Sequence, residues 1–166
     1  MSTYKGVVQY KGNDYLGWQV QEKQGRTIQG ELNKALEKIS KSNKVRTIGS
    51  GRTDAGVHAI GQVFKAEIEL KINPLSLTKA LNSNLPNDIY VKSIETCEED
   101  FHPVLHAKKK EYNYLFVTEK EMAPFLKELM THYPYELNLD LMTEACRLFE
   151  GEHDFLNYFC VGTDVN

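Results

Sequence analysis

The chain has 166 residues, 41% of them apolar and 26% charged, the balance of a soluble globular protein and not of a disordered segment. No apolar run approaches the roughly 18 residues of a spanning helix, and MSTYKGVVQY lacks the apolar centre of a signal peptide, so a cytoplasmic protein without a membrane partner is expected. The net charge of −3 conceals +5 over residues 1–60, −1 over 61–118 and −7 over 119–166, which leaves room for a basic face toward a polyanion or for an ordinary solvated surface.

In chain order, the aromatic and β-branched stretch Thr3 to Tyr10 predicts a strand, stopped by the turn cluster Lys11-Gly12-Asn13-Asp14. After a loop with Trp18 and Gly25, Thr27 is placed to cap a helix through Ser40, because Ile28, Leu32, Ala35, Leu36 and Ile39 recur at helical spacing. A short strand, Val45 to Ile48, runs into GSGRTDAGVHA, whose glycines at 49, 51 and 56 mark a specially shaped loop. Phe64, Ala66, Ile68 and Leu70 then alternate with Lys65, Glu67 and Glu69, a period of two that predicts a strand with one wet face. Asn73 before Pro74 predicts a capped second helix to about Leu81, and Ile89 to Ile94 a fourth strand.

The resulting β-α-β-β-α-β order predicts an α+β fold: an antiparallel sheet with both helices on one face, the split βαβ unit of ferredoxin-like and RRM-like domains, over residues 1–103. Residues 104–166 are expected to begin a second, incomplete α+β domain. They offer a strand at Glu111 to Val117, helical patches near Glu121 to Met130, and a helix from Leu139 to Glu150 closed by Gly151. The stretch from Phe159 to Asn166 reads as a final unpartnered strand or as an unstructured tail. Cys97, Cys146 and Cys160 are odd in number and too widely spaced for a CxxC pair, which predicts free thiols.

GRTDAGVHA, Gly51 to Ala59, gathers a guanidinium, a carboxylate and an imidazole on one glycine-bounded loop between strands, where catalytic groups concentrate. Beside Arg52 the Asp54 carboxylate stays ionised and suits a nucleophile or an electrostatic stabiliser, although an Asx-turn uses the same residue types. His58 has no second ligand at metal spacing, so no metal site is expected. Lys108, Lys109 and Lys110 form the densest basic run and suit phosphate contacts or a solvated face. Tyr112, Tyr114 and Phe116 fall on one face of the strand expected around them, a stripe that by itself reads as core.

The segment GSGRTDAGVHAIGQV resembles the active-site motif of the TruA family of tRNA pseudouridine synthases. Four other segments match that family in order: YKGNDYLGWQVQ is similar to its YDGxxYxGWQxQ, NSNLPNDIYV to NxxLPxDI, EDFHPVLHAKKKEYNY to FHAR…A…KxYxY, and GEHDFLNY to GxHDFxxF. The resemblance implies a pseudouridine synthase fold and an isomerase that converts uridine to pseudouridine at positions 38 to 40 of the tRNA anticodon arm, without cofactor or metal, as a homodimer. It puts the catalytic nucleophile at Asp54. It assigns Arg52 to holding the flipped-out nucleotide and Tyr112 to packing on the target base, leaving Tyr114 and Phe116 to packing within the protein. Lys108, Lys109, Lys110 and His58 become possible RNA contacts. Trp18 is expected to pack, while Tyr15 and Arg26 stand between packing and RNA contact.

Two departures stand out: Val104 replaces the arginine of FHAR, and Glu111 occupies a position that is often basic. Family members also continue for roughly another domain half, carrying a basic residue that pairs with the nucleophile. The expectations that compete with a synthase are an inactive fragment of one, or a non-catalytic RNA-binding module whose sheet stacks bases as RRM domains do; the RNP-like KGFGFVxF run of such a module is absent from the sequence.

Overall fold

The structure, a computed structural model, describes residues 1–21 and 25–158. The expected strand or tail from Phe159, with Cys160, lies outside the described residues. The chain divides into two compact units, Met1–Asn113 and Tyr114–Asn166.

The first unit runs β1 (Ser2–Tyr10), α1 (Ile28–Ser40), β2 (Arg46–Gly49), β3 (Ala59–Ile68), α2 (Pro74–Asn84) and β4 (Ile89–Thr96). The strands form one sheet in the order β2-β3-β1-β4 with every neighbouring pair antiparallel. Tyr4, Val8 and Tyr10 of β1, Phe64, Ala66 and Ile68 of β3 and Val91 of β4 share a core with Ile28, Leu32 and Leu36 of α1 and Leu77 and Leu81 of α2. The two helices also touch each other, so they cover the same face of the sheet. The register of β1 shifts against β3 between Val8 and Tyr10 and against β4 between Val7 and Val8. Such irregularities bend and twist a strand, here at the end from which the loop 11–18 departs.

Both helices begin where local chemistry places them. The Thr27 hydroxyl accepts from the Gly30 amide at 3.1 Å, and Asn73 Oδ1 accepts from Leu75 and Ser76 ahead of Pro74 at the first helical position. Thr27→Ala is expected to lower the unfolding free energy by about 1 kcal/mol. Urea melts compared with the parent protein check this, and an unchanged midpoint would show that the cap contributes nothing.

The face opposite the helices is not simply wet. Lys65 is only 6% exposed: its ammonium lies 2.8 Å from the Glu67 carboxylate and donates to the Glu99 carbonyl at 2.6 Å. A buried ammonium is tolerable because it is paired and hydrogen-bonded. The chain after β4 covers this region, with Pro103 buried and the Phe101 ring 5.8 Å from the Lys5 ammonium.

In the second unit no described residue is buried. It contains β5 (Phe116–Val117) and β6 (Thr131–His132), paired in parallel, a 3₁₀ turn at Pro124–Leu126, and α3 (Leu139–Arg147), capped by Asn138 and followed by a 3₁₀ turn at Leu156–Tyr158. The strand expected over Glu111 to Val117 is thus two residues long, because only Phe116 and Val117 find a ladder partner and a strand has no hydrogen bonds of its own. Tyr114 and Phe116, expected in packing, are exposed for the same reason. The helical patches near Glu121 to Met130 reduce to the single 3₁₀ turn. The last helix ends at Arg147, with Gly151 in a left-handed conformation beyond it. Cys97 and Cys146 are free thiols, and burial pushes the Cys97 thiol upward.

Candidate active site

The loop between β2 and β3 is fixed along almost its whole backbone. The Ser50 amide donates to the Val63 carbonyl at 2.8 Å, and the Ser50 hydroxyl to Gln62 Oε1 at 3.0 Å, while Gln62 Nε2 donates to the Gly51 carbonyl. The Thr53 carbonyl accepts from the Trp18 amide at 3.0 Å, and the Thr53 hydroxyl shares a 2.9 Å hydrogen bond with the Tyr10 hydroxyl. The Asp54 carbonyl accepts from the Val57 amide at 3.2 Å, and the Gly56 amide donates to the Tyr15 carbonyl at 3.3 Å. His58 Nδ1 accepts from the Gly12 amide at 3.2 Å, an inward bond that ties the loop to the turn after β1.

These bonds require the segment 12–18 to lie directly against the loop backbone. A side chain on Gly12 would collide with the Val57 carbonyl, and one on Gly17, at φ +96°, with the Thr53 carbonyl. Trp18, 1% exposed, packs its ring over Gly49, where a Cβ would come within 2.5 Å of the indole. The Trp18 and Gly17 carbonyls accept from the Gln29 and Ile28 amides at 3.0 and 3.2 Å, which joins the segment to the start of α1. Trp18 therefore packs, as expected.

Tyr15 also packs. Its hydroxyl donates to Asp88 Oδ1 at 2.5 Å and accepts from Arg26 Nη2 at 3.0 Å. Burial pushes the phenol well above the ordinary tyrosine range, and the Asp88 carboxylate adds to the effect. The Arg26 guanidinium lies 4.8 Å from the centre of the Tyr15 ring and 3.5 Å from the Glu31 carboxylate, so a cation that could have faced RNA is engaged within the protein.

Arg52 and Asp54 are exposed and line one open cleft of about 590 Å³ with Leu16, Gln19, Gln21, Thr53 and Ala55. Among the described residues no ion pair joins Arg52 to Asp54, and no side chain or amide hydrogen-bonds the Asp54 carboxylate. The Asx-turn alternative thus finds no bond to its side chain. The Lys110 ammonium reaches Gly51, 3.6 Å from where a Cβ there would stand. Lys108, Lys109 and Tyr112 lie on an exposed stretch without regular structure; Tyr112 is 83% exposed, and Lys109 pairs with Glu111 at 3.1 Å. Among the described residues no hydrogen bond, ion pair or ring contact joins these three to the loop.

The sequence reading did not single out Gln62 or Thr53, and it took Tyr10 only as a strand end. A signal existed for Tyr10: it continues the inward period of Tyr4, Gly6 and Val8, and a buried tyrosine hydroxyl needs a partner. Among the described residues no three His, Cys, Asp or Glu side chains gather as metal ligands, and no helix is long and apolar enough to cross a membrane.

The sequence profile described as tRNA pseudouridine synthase matches residues 7–104, a span that runs from the second half of β1 past the end of β4 and includes the whole loop. Proteins named tRNA pseudouridine synthase A are similar over nearly all of the chain: one from Thermodesulfovibrio yellowstonii is 45% identical over 99% of this chain and 64% of its own length. Those from a Geobacillus species and from Pseudothermotoga lettingae are each 42% identical over 98% of this chain and 65% of their own. The chain thus spans about 65% of the length of these curated relatives. A profile match over more than half of the residues, centred on the loop that presents Asp54, establishes that the chain belongs to the tRNA pseudouridine synthase family.

Proposed function

We propose that this chain carries the isomerising centre of a tRNA pseudouridine synthase that acts at uridines 38 to 40 of the anticodon arm, with Asp54 as nucleophile. The observation that carries the reading is the presentation of Asp54: an exposed carboxylate without a partner among the described residues, on a loop whose backbone is hydrogen-bonded on both sides of it. A group held this way loses little freedom when it meets substrate and has no internal bond to break first.

The reaction conserves every atom of the nucleoside. The bond between N1 of uracil and C1′ of ribose breaks, the ring turns, C5 bonds to C1′, and the proton leaving C5 is balanced by one gained at N1. No oxidant or co-substrate is needed. Asp54 forms the transient covalent bond, to the uracil ring or to C1′, and leaves after the turn. Because the target lies within a folded RNA, the nucleotide must be extruded into the cleft, where Arg52 offers planar donors to its phosphate. Lys110, over Gly51, extends positive charge from the cleft along the backbone path, and Lys108, Lys109 and His58 are assigned to further contacts with tRNA. Tyr112, exposed and unpacked, is available to stack on the extruded base.

Residues 1–103 are read as the split βαβ domain, supported by their element and strand order. Residues 104–166 are read as the start of a second α+β domain, supported by the exposure of Leu139, Leu141, Leu148, Phe149 and Phe155. A cytoplasmic homodimer is the working assembly, and sedimentation giving only monomer at working concentration counts against it.

The function is tested by incubating unmodified tRNA transcript with the protein and with its Asp54→Ala variant, then mapping pseudouridine. Pseudouridine at 38 to 40 with the parent and none with the variant is the expected result. No product from the parent, equal product from the variant, or product confined to other positions overturns the reading.

A further inference from the structure

Arg52 and Asp54 point outward into the cleft, while the half-buried residue between them turns its hydroxyl inward. That residue, Thr53, is held at two points: the Trp18 amide on its carbonyl at 3.0 Å and the Tyr10 hydroxyl on its Oγ1 at 2.9 Å. Both of its holders are buried residues of the first unit. Tyr10 is buried at the end of a central strand with its ring 6.2 Å from that of Trp18, and Trp18 is buried against Gly49 and tied to the start of α1. Burial raises the Tyr10 phenol above its ordinary range, so the hydrogen bond keeps its proton across the whole working range of pH.

We infer that the Tyr10–Thr53 hydrogen bond is a positioning device which fixes the side-chain alternation of the loop, so that Arg52 and Asp54 enter the cleft together. The argument is geometric. Among the described residues neither Arg52 nor Asp54 has a side-chain bond to set its direction, so the direction is set by the backbone between them. The backbone between them is Thr53. Were its hydroxyl released, the Trp18 amide on the carbonyl would be left as a single, weakened tie, and rotation of the backbone about Thr53 would swing the 52 and 54 side chains relative to each other. A displacement near 1 Å at a reacting group lowers a rate by about 100-fold. Substrate affinity is spread over many phosphate contacts, of which Arg52 supplies one, so it responds far less to the same displacement.

This rests on the proposed role of Asp54, and the experiment separates the two. Thr53→Val and Tyr10→Phe each delete one hydroxyl at nearly constant shape, and Thr53→Ser restores the hydroxyl without the methyl. With unmodified tRNA transcript, Thr53→Val and Tyr10→Phe are expected to lower kcat by tenfold or more with KM within about twofold, and Thr53→Ser to recover most of the loss. The double variant is expected to be no slower than the worse single variant, because both delete the same bond. Unchanged kcat in both single variants, a loss confined to KM, or a double loss equal to the product of the single losses overturns the positioning role.

An active Asp54→Ala variant would instead overturn the nucleophile and leave the measurement on Thr53 standing. Amide hydrogen exchange reads the loop whether or not the protein turns over. In Thr53→Val, protection at the Trp18 and Gly56 amides is expected to fall at least tenfold, with Val8 and Phe64 in the sheet unchanged. Equal protection in variant and parent overturns the proposal on structural grounds alone.

Discussion

Replacing Asp54 with asparagine is expected to abolish isomerisation and to leave the melting temperature where it was. The two halves of this expectation come from the same observation. The carboxylate is exposed and makes no hydrogen bond or ion pair within the described residues, so an isosteric amide removes nothing that the fold uses. Surface changes of this kind leave stability almost untouched. The amide is, however, a far poorer nucleophile and carries no charge to stabilise a developing cation at C1′. Removing a nucleophile from a covalent enzyme costs on the order of 10⁴-fold or more in kcat. Binding of tRNA is expected to stay within a few-fold, since affinity for a polyanion resides in contacts to phosphate from cations, the role proposed for Arg52 and Lys110. Single-turnover assays, a thermal melt and a binding titration on the same preparation check all three. A melting temperature several degrees lower would assign Asp54 to the fold and sink the catalytic reading. Full activity would sink it too.

The first 96 residues were legible in the sequence because what fixes their elements is local. Thr27 and the Asn73-Pro74 pair start the helices by bonds that reach no further than three residues, and the period of two in β1 and β3 follows from the pleat itself. The same alternation misled at Glu111 to Val117, where Tyr112, Tyr114 and Phe116 satisfy the pattern but only Phe116 and Val117 acquire a partner strand. Periodicity states which face a strand would show, not whether a neighbour exists. Lys65 illustrates the complementary failure. Its place on the polar side of β3 is correct, yet the Glu99 carbonyl, 34 residues away, brings it indoors.

The site was legible in part. Glycine spacing located the loop, and resemblance to the family picked Asp54 from its other residues. The device that holds the loop was not legible, because Gly12, Gly17 and Tyr10 meet residues 53–57 across some forty positions of chain. Nothing in the composition of YKGNDYLGWQ says that its glycines serve a different segment. The first two matched motifs are therefore one structure and not two: the first supplies the wall against which the second is shaped.

Gly17→Ala is the sharpest test of that statement. Gly17 has φ +96°, a conformation that costs a residue with a Cβ about 1 to 2 kcal/mol. The added carbon also points at the Thr53 carbonyl and the Asp54 backbone, so no side-chain rotation relieves the contact. Overpacking against a fixed backbone adds about 1 to 3 kcal/mol. The sum, about 2 to 5 kcal/mol, is a large fraction of the roughly 5 to 15 kcal/mol that a domain has in total. Gly56 supplies the control. It has a similar φ, +81°, but a Cβ there meets nothing within 4 Å, so Gly56→Ala carries the conformational cost alone. Urea denaturation of the two variants should therefore separate them, Gly17→Ala unfolding at clearly lower denaturant than Gly56→Ala. The variant that keeps some fold does so by moving residues 53–54 away from Trp18, and its Trp18 amide should exchange with solvent faster than in Gly56→Ala. Equal midpoints would mean that the segment 12–18 yields to the loop, and that the position of Asp54 is set by β2 and β3 alone.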